Sequence, residues 1–212
     1  MPKSRVKRKK KAGARGSGGI AWGGKAGPGD RRINLVLAVL VLGAVVAGGV
    51  YWFVYAQNEH AFQTLAAQGR DRLAALVTSP ANRGRGHGEH GATYYYGTLF
   101  PTSGRHDPVP TSAGVYQAPQ PPGQLVHALE HGNIVIYYDA PDPEVLITLK
   151  DWAGLYGGEW DGLVVVPMER HLGRDVVLTA WTKTLRLAAF DPALAAAFVD
   201  VYRGRGPEHG PH

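Results

Sequence analysis

His127 and His131 stand four residues apart in the segment His127-Ala-Leu-Glu-His131-Gly, a spacing that puts both rings on one face of a helix and lets both reach a single metal ion. Glu130 sits one turn from His127. The segment therefore reads H-x-x-E-H, the inverted zincin pattern, in which two histidines bind zinc and the glutamate is a general base. That chemistry needs a long helix and a third ligand well downstream, whereas Gly132 and the apolar run Ile134 to Tyr138 follow at once. A third nitrogen is offered by His106, on the loop Pro101-Thr-Ser-Gly-Arg-His106-Asp-Pro. His106, His127 and His131 would supply three neutral nitrogen ligands, suited to zinc or copper. Met168 is the one methionine besides the initiator, and its thioether as a further ligand would favour copper. Two roles are then open for Glu130, an acceptor that orients a ligating histidine or the base for metal-bound water in a hydrolase. Each residue also has a plain structural use, because histidines beside buried strands often bond backbone and a Thr-Ser-Gly loop can serve only its own turn. His87, His90, His209 and His212 fall in Gly/Pro-rich stretches and read as solvated loop.

Several chemistries are excluded. The chain has no cysteine, so disulfides, iron–sulfur clusters, thiolate zinc sites and a Cys nucleophile are absent. Ser103, His106 and Asp107 lie too close together to imply triad geometry, and neither a phosphate-binding nor a dinucleotide glycine motif occurs. No reaction can be named from the residues alone.

The elements that must position these side chains are of mixed type. Gln57 to Val77 has apolar residues at helical spacing and reads as a helix over 57–79, a stalk or an element packed on the domain, ended by Ser79-Pro80. Thr93 to Tyr96 is a candidate strand. Residues 97–123 hold six prolines and four glycines, which precludes long regular structure there; a long ordered loop is often functional. A short helix over Gly123 to Glu130 precedes a buried strand, Ile134 to Tyr138. A helix over Pro141 to Leu155, strands Leu163 to Val166 and Val176 to Trp181, a turn at 171–174, and a helix capped by Asp191-Pro192 complete the order. This predicts an α+β fold with a small central β-sheet and flanking helices over 80–212.

Ahead of that domain, Leu35 to Val54 gives 20 residues without a charge, about 30 Å of helix and enough to cross a hydrocarbon core. Tyr51, Trp52, Phe53 and Tyr55 crowd one end as an interfacial belt, and a signal peptide would have a shorter apolar core with small residues after it. Residues 1–32 contain 11 Lys or Arg and one acidic residue against a whole-chain charge of +6, so the rest of the chain is net acidic. The reading is a disordered basic cytoplasmic tail at 1–32, a single transmembrane helix at 33–56 and an extracytoplasmic domain beyond, with anionic lipid headgroups as the tail's partner and nucleic acid not expected.

Pro101-Thr-Ser-Gly-x-His106, Gly114-Val-Tyr116, Leu125-Val-His-Ala-Leu-Glu-His-Gly132 leading into Ile134-Val-Ile-Tyr-Tyr138, Thr179-Ala-Trp181 and Gly206-Pro-Glu208 together resemble the bacterial family catalogued as domain of unknown function 3105. The resemblance covers about residues 93–208. It implies a membrane-anchored bacterial domain of uncharacterised activity. Two positions depart from the family pattern, Arg105 where proline is expected and Thr182 where glycine is usual. The expectation is thus a single-pass membrane protein whose outer domain binds copper or zinc through a His cluster, with a metal-dependent hydrolase or a metal-free envelope scaffold as the alternatives.

Overall fold

The computed structural model describes residues 28–168 and 175–208; the predicted turn at 171–174 and His209 and His212 lie outside them. The chain divides into two units, Met1–Gly48 and Gly49–His212. Helix α1, Pro28–Leu73, begins in the first. From Ile33 through Tyr55 its large apolar side chains are exposed all round, and by length and composition this stretch is able to cross a membrane.

In the second unit the expected α+β fold is present. Five strands, β1 (Gly114–Val115), β2 (Ile134–Tyr138), β3 (Leu163–Pro167), β4 (Val176–Ala180) and β5 (Lys183–Leu187), form one mixed sheet in the order β1-β3-β2-β4-β5. The first three run parallel, and β4 and β5 add antiparallel partners. Three helices accompany them, α2 (Pro122–His131), α3 (Pro143–Leu155) and α4 (Pro192–Tyr202). The near-continuous apolar runs of β2, β3 and β4 follow from burial on both faces, since successive side chains point to opposite sides. Ile134, Ile136, Leu163, Val165 and Leu178 belong to one core cluster with side chains of the C-terminal part of α1, α3 and α4. Val135, Tyr137, Val164, Val166 and Val177 belong to the other, with Leu125, Ala128 and Leu129 of α2.

Of the two readings of the helix over 57–79, α1 follows the packed one and carries Phe62, Ala66 and Leu73 into the first core cluster. Phe62 meets Trp152 and Tyr156 edge to face at 5.2 and 5.0 Å. Thr93 to Tyr96 is not a strand: Tyr94 and Tyr96 are spent on local bonds, with Tyr94 Oη donating to Glu89 O and Tyr96 Oη to Arg105 O, while Tyr95 is exposed. The Pro/Gly-rich segment instead supplies the two-residue strand β1, and β5 pairs with β4 over residues for which no strand was expected.

Thr182, in the tight turn between β4 and β5, has φ +57°, a left-handed conformation costly for a β-branched residue. Glycine, the residue expected here from the resemblance, removes that cost. Thr182→Gly should therefore stabilise the domain by on the order of 0.5–1 kcal/mol after the extra unfolded-chain entropy is subtracted, read as a higher denaturant midpoint. No rise would show that the turn tolerates Thr182 without strain.

Candidate metal centre

The sequence of α2 divides the helix into two faces. Leu125, Ala128 and Leu129 pack on the sheet, which turns His127, Glu130 and His131 to the other side, where all three are buried. The helix must end at once to let β2 begin. Gly132 does so in the left-handed region, φ 104°, and its N–H bonds Leu129 O. A side chain there would meet Trp160 O at 2.8 Å and Gly206 N at 3.0 Å. The C-terminal strap lies that close because Gly204 N–H donates to Gly132 O and Glu208 N–H to Glu130 O.

His106 reaches the same place from the Pro101–Pro108 loop and is fully buried. Its loop is clamped by a second segment, the Gly-rich stretch over 84–91. His106 N–H donates to Gly86 O, Gly88 N–H to His106 O and Gly104 N–H to Gly84 O, a parallel bridge pairing His87 with His106. Ser103 Oγ accepts from Arg83 N–H, so the Thr-Ser-Gly motif ties its loop to the segment before the Gly-rich stretch and does not serve only its own turn. Asp107 completes the clamp: its carboxylate accepts from the backbone N–H groups of Gly91 and Val109 and pairs with His90 Nδ1 at 2.9 Å. Burial works to raise this carboxyl, but the bonds from His90 and the two amides outweigh it and hold it at about 2.

The result is a cluster of four donors, His87, His106, His127 and Glu130, whose ligand atoms lie within 4.8 Å of one another. An ion with bonds of about 2.0–2.1 Å in tetrahedral geometry holds its ligand atoms about 3.3 Å apart, so small side-chain shifts would close this set. Tautomers follow from the backbone. His106 Nδ1 is 2.8 Å from Gly104 O and His127 Nδ1 is 2.7 Å from Asp107 O; a carbonyl only accepts, so both Nδ1 atoms carry the proton. A ring so held presents its lone pair at Nε2 whenever it is neutral, the arrangement that orients a ligating histidine.

His106 Nε2 lies 2.8 Å from Glu130 Oε2 yet forms no hydrogen bond with it. The approach is close but off the N–H···O direction. A buried ring nitrogen and a buried carboxylate oxygen this close, with no hydrogen bond joining them, are costly together unless a positive charge stands beside them, a proton on the ring or a metal ion. His87 Nε2 is 3.7 Å from the same oxygen, with its side chain 49% exposed, and is the one member of the set open to solvent.

Burial lowers the His127 pKa to about 4; the bond to Asp107 O opposes this, and the neighbouring His131, His106 and His87 add to it. The ring is therefore neutral near pH 7. Because the folded value lies below the ordinary 6.5, the unfolded chain takes up this proton first, and the contribution to stability present above about pH 6.5 is lost as pH falls towards 4. In excess chelator the domain should be on the order of 2 kcal/mol less stable at pH 5 than at pH 7 from this group. A His127→Gln variant should show a flatter difference by urea denaturation; an unchanged difference would remove His127 as its cause.

The four metal ligands and one orienting residue expected from sequence are thus distributed differently. His106 and His127 come together. Glu130 stands among the ligand atoms themselves. His131 lies one step aside, stacked on Trp160 at 4.0 Å with Nε2 3.5 Å from Glu208 Oε2. Met168 packs on the α2-side core and lines a small apolar pocket with Phe100, Leu125, Tyr137 and Val166. His87, read as solvated loop, is the member that sequence reasoning missed; its one signal was a histidine flanked by glycines, Gly86-His87-Gly88, where backbone can approach closely.

No curated protein and no solved structure matches this chain. A family model described as protein of unknown function (DUF3105) matches residues 87–212, beginning at His87 itself and so taking in every side chain of the cluster. That match covers more than half of the sequence, and the chain belongs to the DUF3105 family.

Proposed function

We propose that this protein is a membrane-anchored metal-binding protein whose domain holds one zinc or copper ion through His87, His106, His127 and Glu130. The observation that carries the reading is the pair of buried imidazoles whose Nδ1 atoms are fixed on backbone carbonyls while a ligand atom of each lies within 4.8 Å of the Glu130 carboxylate, His106 Nε2 at 2.8 Å. Three nitrogens and one carboxylate oxygen suit an ion of borderline softness, with a carboxylate favouring zinc over reduced copper. When bound, the ion would supply positive charge and Lewis acidity. The chain's own part is to hold two neutral rings, place a carboxylate opposite His106 and leave His87 at the solvent edge.

The N-terminal basic residues and the apolar stretch beyond them support an anchor with the tail in the cytoplasm and the domain outside, as in a bacterial envelope protein, and anionic lipid as the tail's partner. Glu130 lies among the ligand atoms, which favours binding over its use as a hydrolytic base. The competing reading is a metal-free scaffold in which a single proton joins His106 to Glu130, favoured by their 2.8 Å approach.

Calorimetric titration of the tag-free protein with zinc and copper separates the two. One ion per chain, with affinity reduced about 100-fold or more by Glu130→Gln, is expected. Absence of saturable binding, with chelator leaving the melting temperature unchanged, would establish the scaffold.

A further inference from the structure

His131 and Glu208 take no part in the four-donor set, yet both are built into the fold beside it. The His131 side chain is 8% exposed, and its buried Nδ1 has no hydrogen-bond partner. Its ring is held flat against Trp160. Glu208 is delivered by the strap through its N–H bond to Glu130 O, in a path that only glycine at 206 permits, since a side chain there would meet Glu130 O at 2.0 Å. Its Oε2, also without a hydrogen-bond partner, points to His131 at 3.5 Å. It is His131 Nε2 that faces this oxygen, while Nδ1 of the same ring is buried without a partner; a buried carboxylate oxygen and a buried ring nitrogen left unsatisfied are each costly unless a cation or a proton completes them.

His127 joins them: one ligand atom from each of His127, His131 and Glu208 lies within 4.8 Å of the others. Its ring is 4.6 Å from that of His131 and 5.0 Å from that of His106. His127 thus belongs to both groups. With Nδ1 committed to Asp107 O, it has a single lone pair to give, and one lone pair binds one ion.

We propose that His127, His131 and Glu208 form a second metal station, filled in alternation with the four-donor station because the two share His127; the alternation, though not the second station itself, rests on the metal-binding reading of the first. Two imidazoles and one carboxylate give an incomplete shell, weaker than the first and with room for water. Its Glu208 side chain is 40% exposed, as His87 of the first station is 49% exposed, so each station has one ligand at the solvent edge. An ion passing between the stations keeps His127 as a ligand throughout, and a transfer of this kind needs no release of the free ion.

The test uses cobalt(II) as the probe, followed by its visible absorption, on the tag-free full chain in detergent. His87→Ala with Glu130→Gln weakens the first station and leaves the second intact. One cobalt ion per chain is expected to bind this double variant, more weakly than wild type. Adding either Glu208→Gln or His131→Phe, the latter keeping a ring against Trp160, should weaken that residual binding about tenfold or more. Residual binding indifferent to both changes, or no residual binding, overturns the second station while tight wild-type binding upholds the first. Wild-type binding indifferent to the double change and lost with Glu208→Gln does the reverse.

Discussion

His106→Ala is expected to abolish tight metal binding and to destabilise the metal-free domain as well. The ring is fully buried and is the member of the set closest to Glu130, at 2.8 Å. Its loss removes a ligand, for which a fall in affinity beyond about 100-fold is the minimum, since even residues that only orient ligands cost 10–100-fold. It also strands the Glu130 carboxylate, 3% exposed, without its nearest charge-bearing partner, a change of the kind that costs about 3–5 kcal/mol. The two effects separate in the double variant His106→Ala with Glu130→Gln. Neutralising residue 130 should return part of the stability and none of the binding. If His106→Ala binds zinc and copper as wild type does, His106 is not a ligand. If its stability is unchanged, the carboxylate is satisfied by something other than His106.

Phe62→Ala should cost about 3–5 kcal/mol, the range for emptying a buried phenylalanine site, read from the urea midpoint of the domain. Phe62 is 1% exposed and its ring contacts Trp152 of α3 and Tyr156 just beyond it; Tyr156 Oη further donates to Glu59. A chain begun at residue 80 lacks Phe62, Ala66 and Leu73 together and exposes their apolar partners on α3 and α4. That chain should be insoluble or unfolded by circular dichroism, whereas one begun at residue 57 should fold. A folded, soluble chain starting at 80 would return these helical residues to the role of a stalk.

The sheet was legible in the sequence because β2, β3 and β4 are buried on both faces and therefore carry unbroken apolar runs, and because Asp191-Pro192 is a complete start signal, with Asp191 Oδ1 accepting from the N–H groups of Ala193 and Leu194. β1 was not legible: two residues, Gly114 and Val115, carry no periodicity and owe their strand geometry to β3. β5 was hidden by Lys183 and Arg186, polar residues that an edge strand tolerates. At the site, the helical spacing of His127, Glu130 and His131 was correct, but spacing places side chains on a face and does not say which neighbour arrives. The arrival of His87 depends on a ladder of backbone bonds between two loops, over 84–88 and 104–106, and such bonds are made by any residue and leave no trace in side-chain pattern. The same holds for Glu208, brought to His131 by the bonds of Gly204 and Glu208 to the end of α2.

X-ray absorption at the zinc edge, on tag-free full-length protein loaded with one equivalent of zinc, tests the central claim most directly. Three nitrogen ligands and one oxygen ligand at about 2.0–2.1 Å are expected, with one imidazole contribution fewer in His87→Ala. A zinc shell of water oxygens alone, or a spectrum that His87→Ala, His106→Ala and Glu130→Gln all leave unchanged, would contradict it.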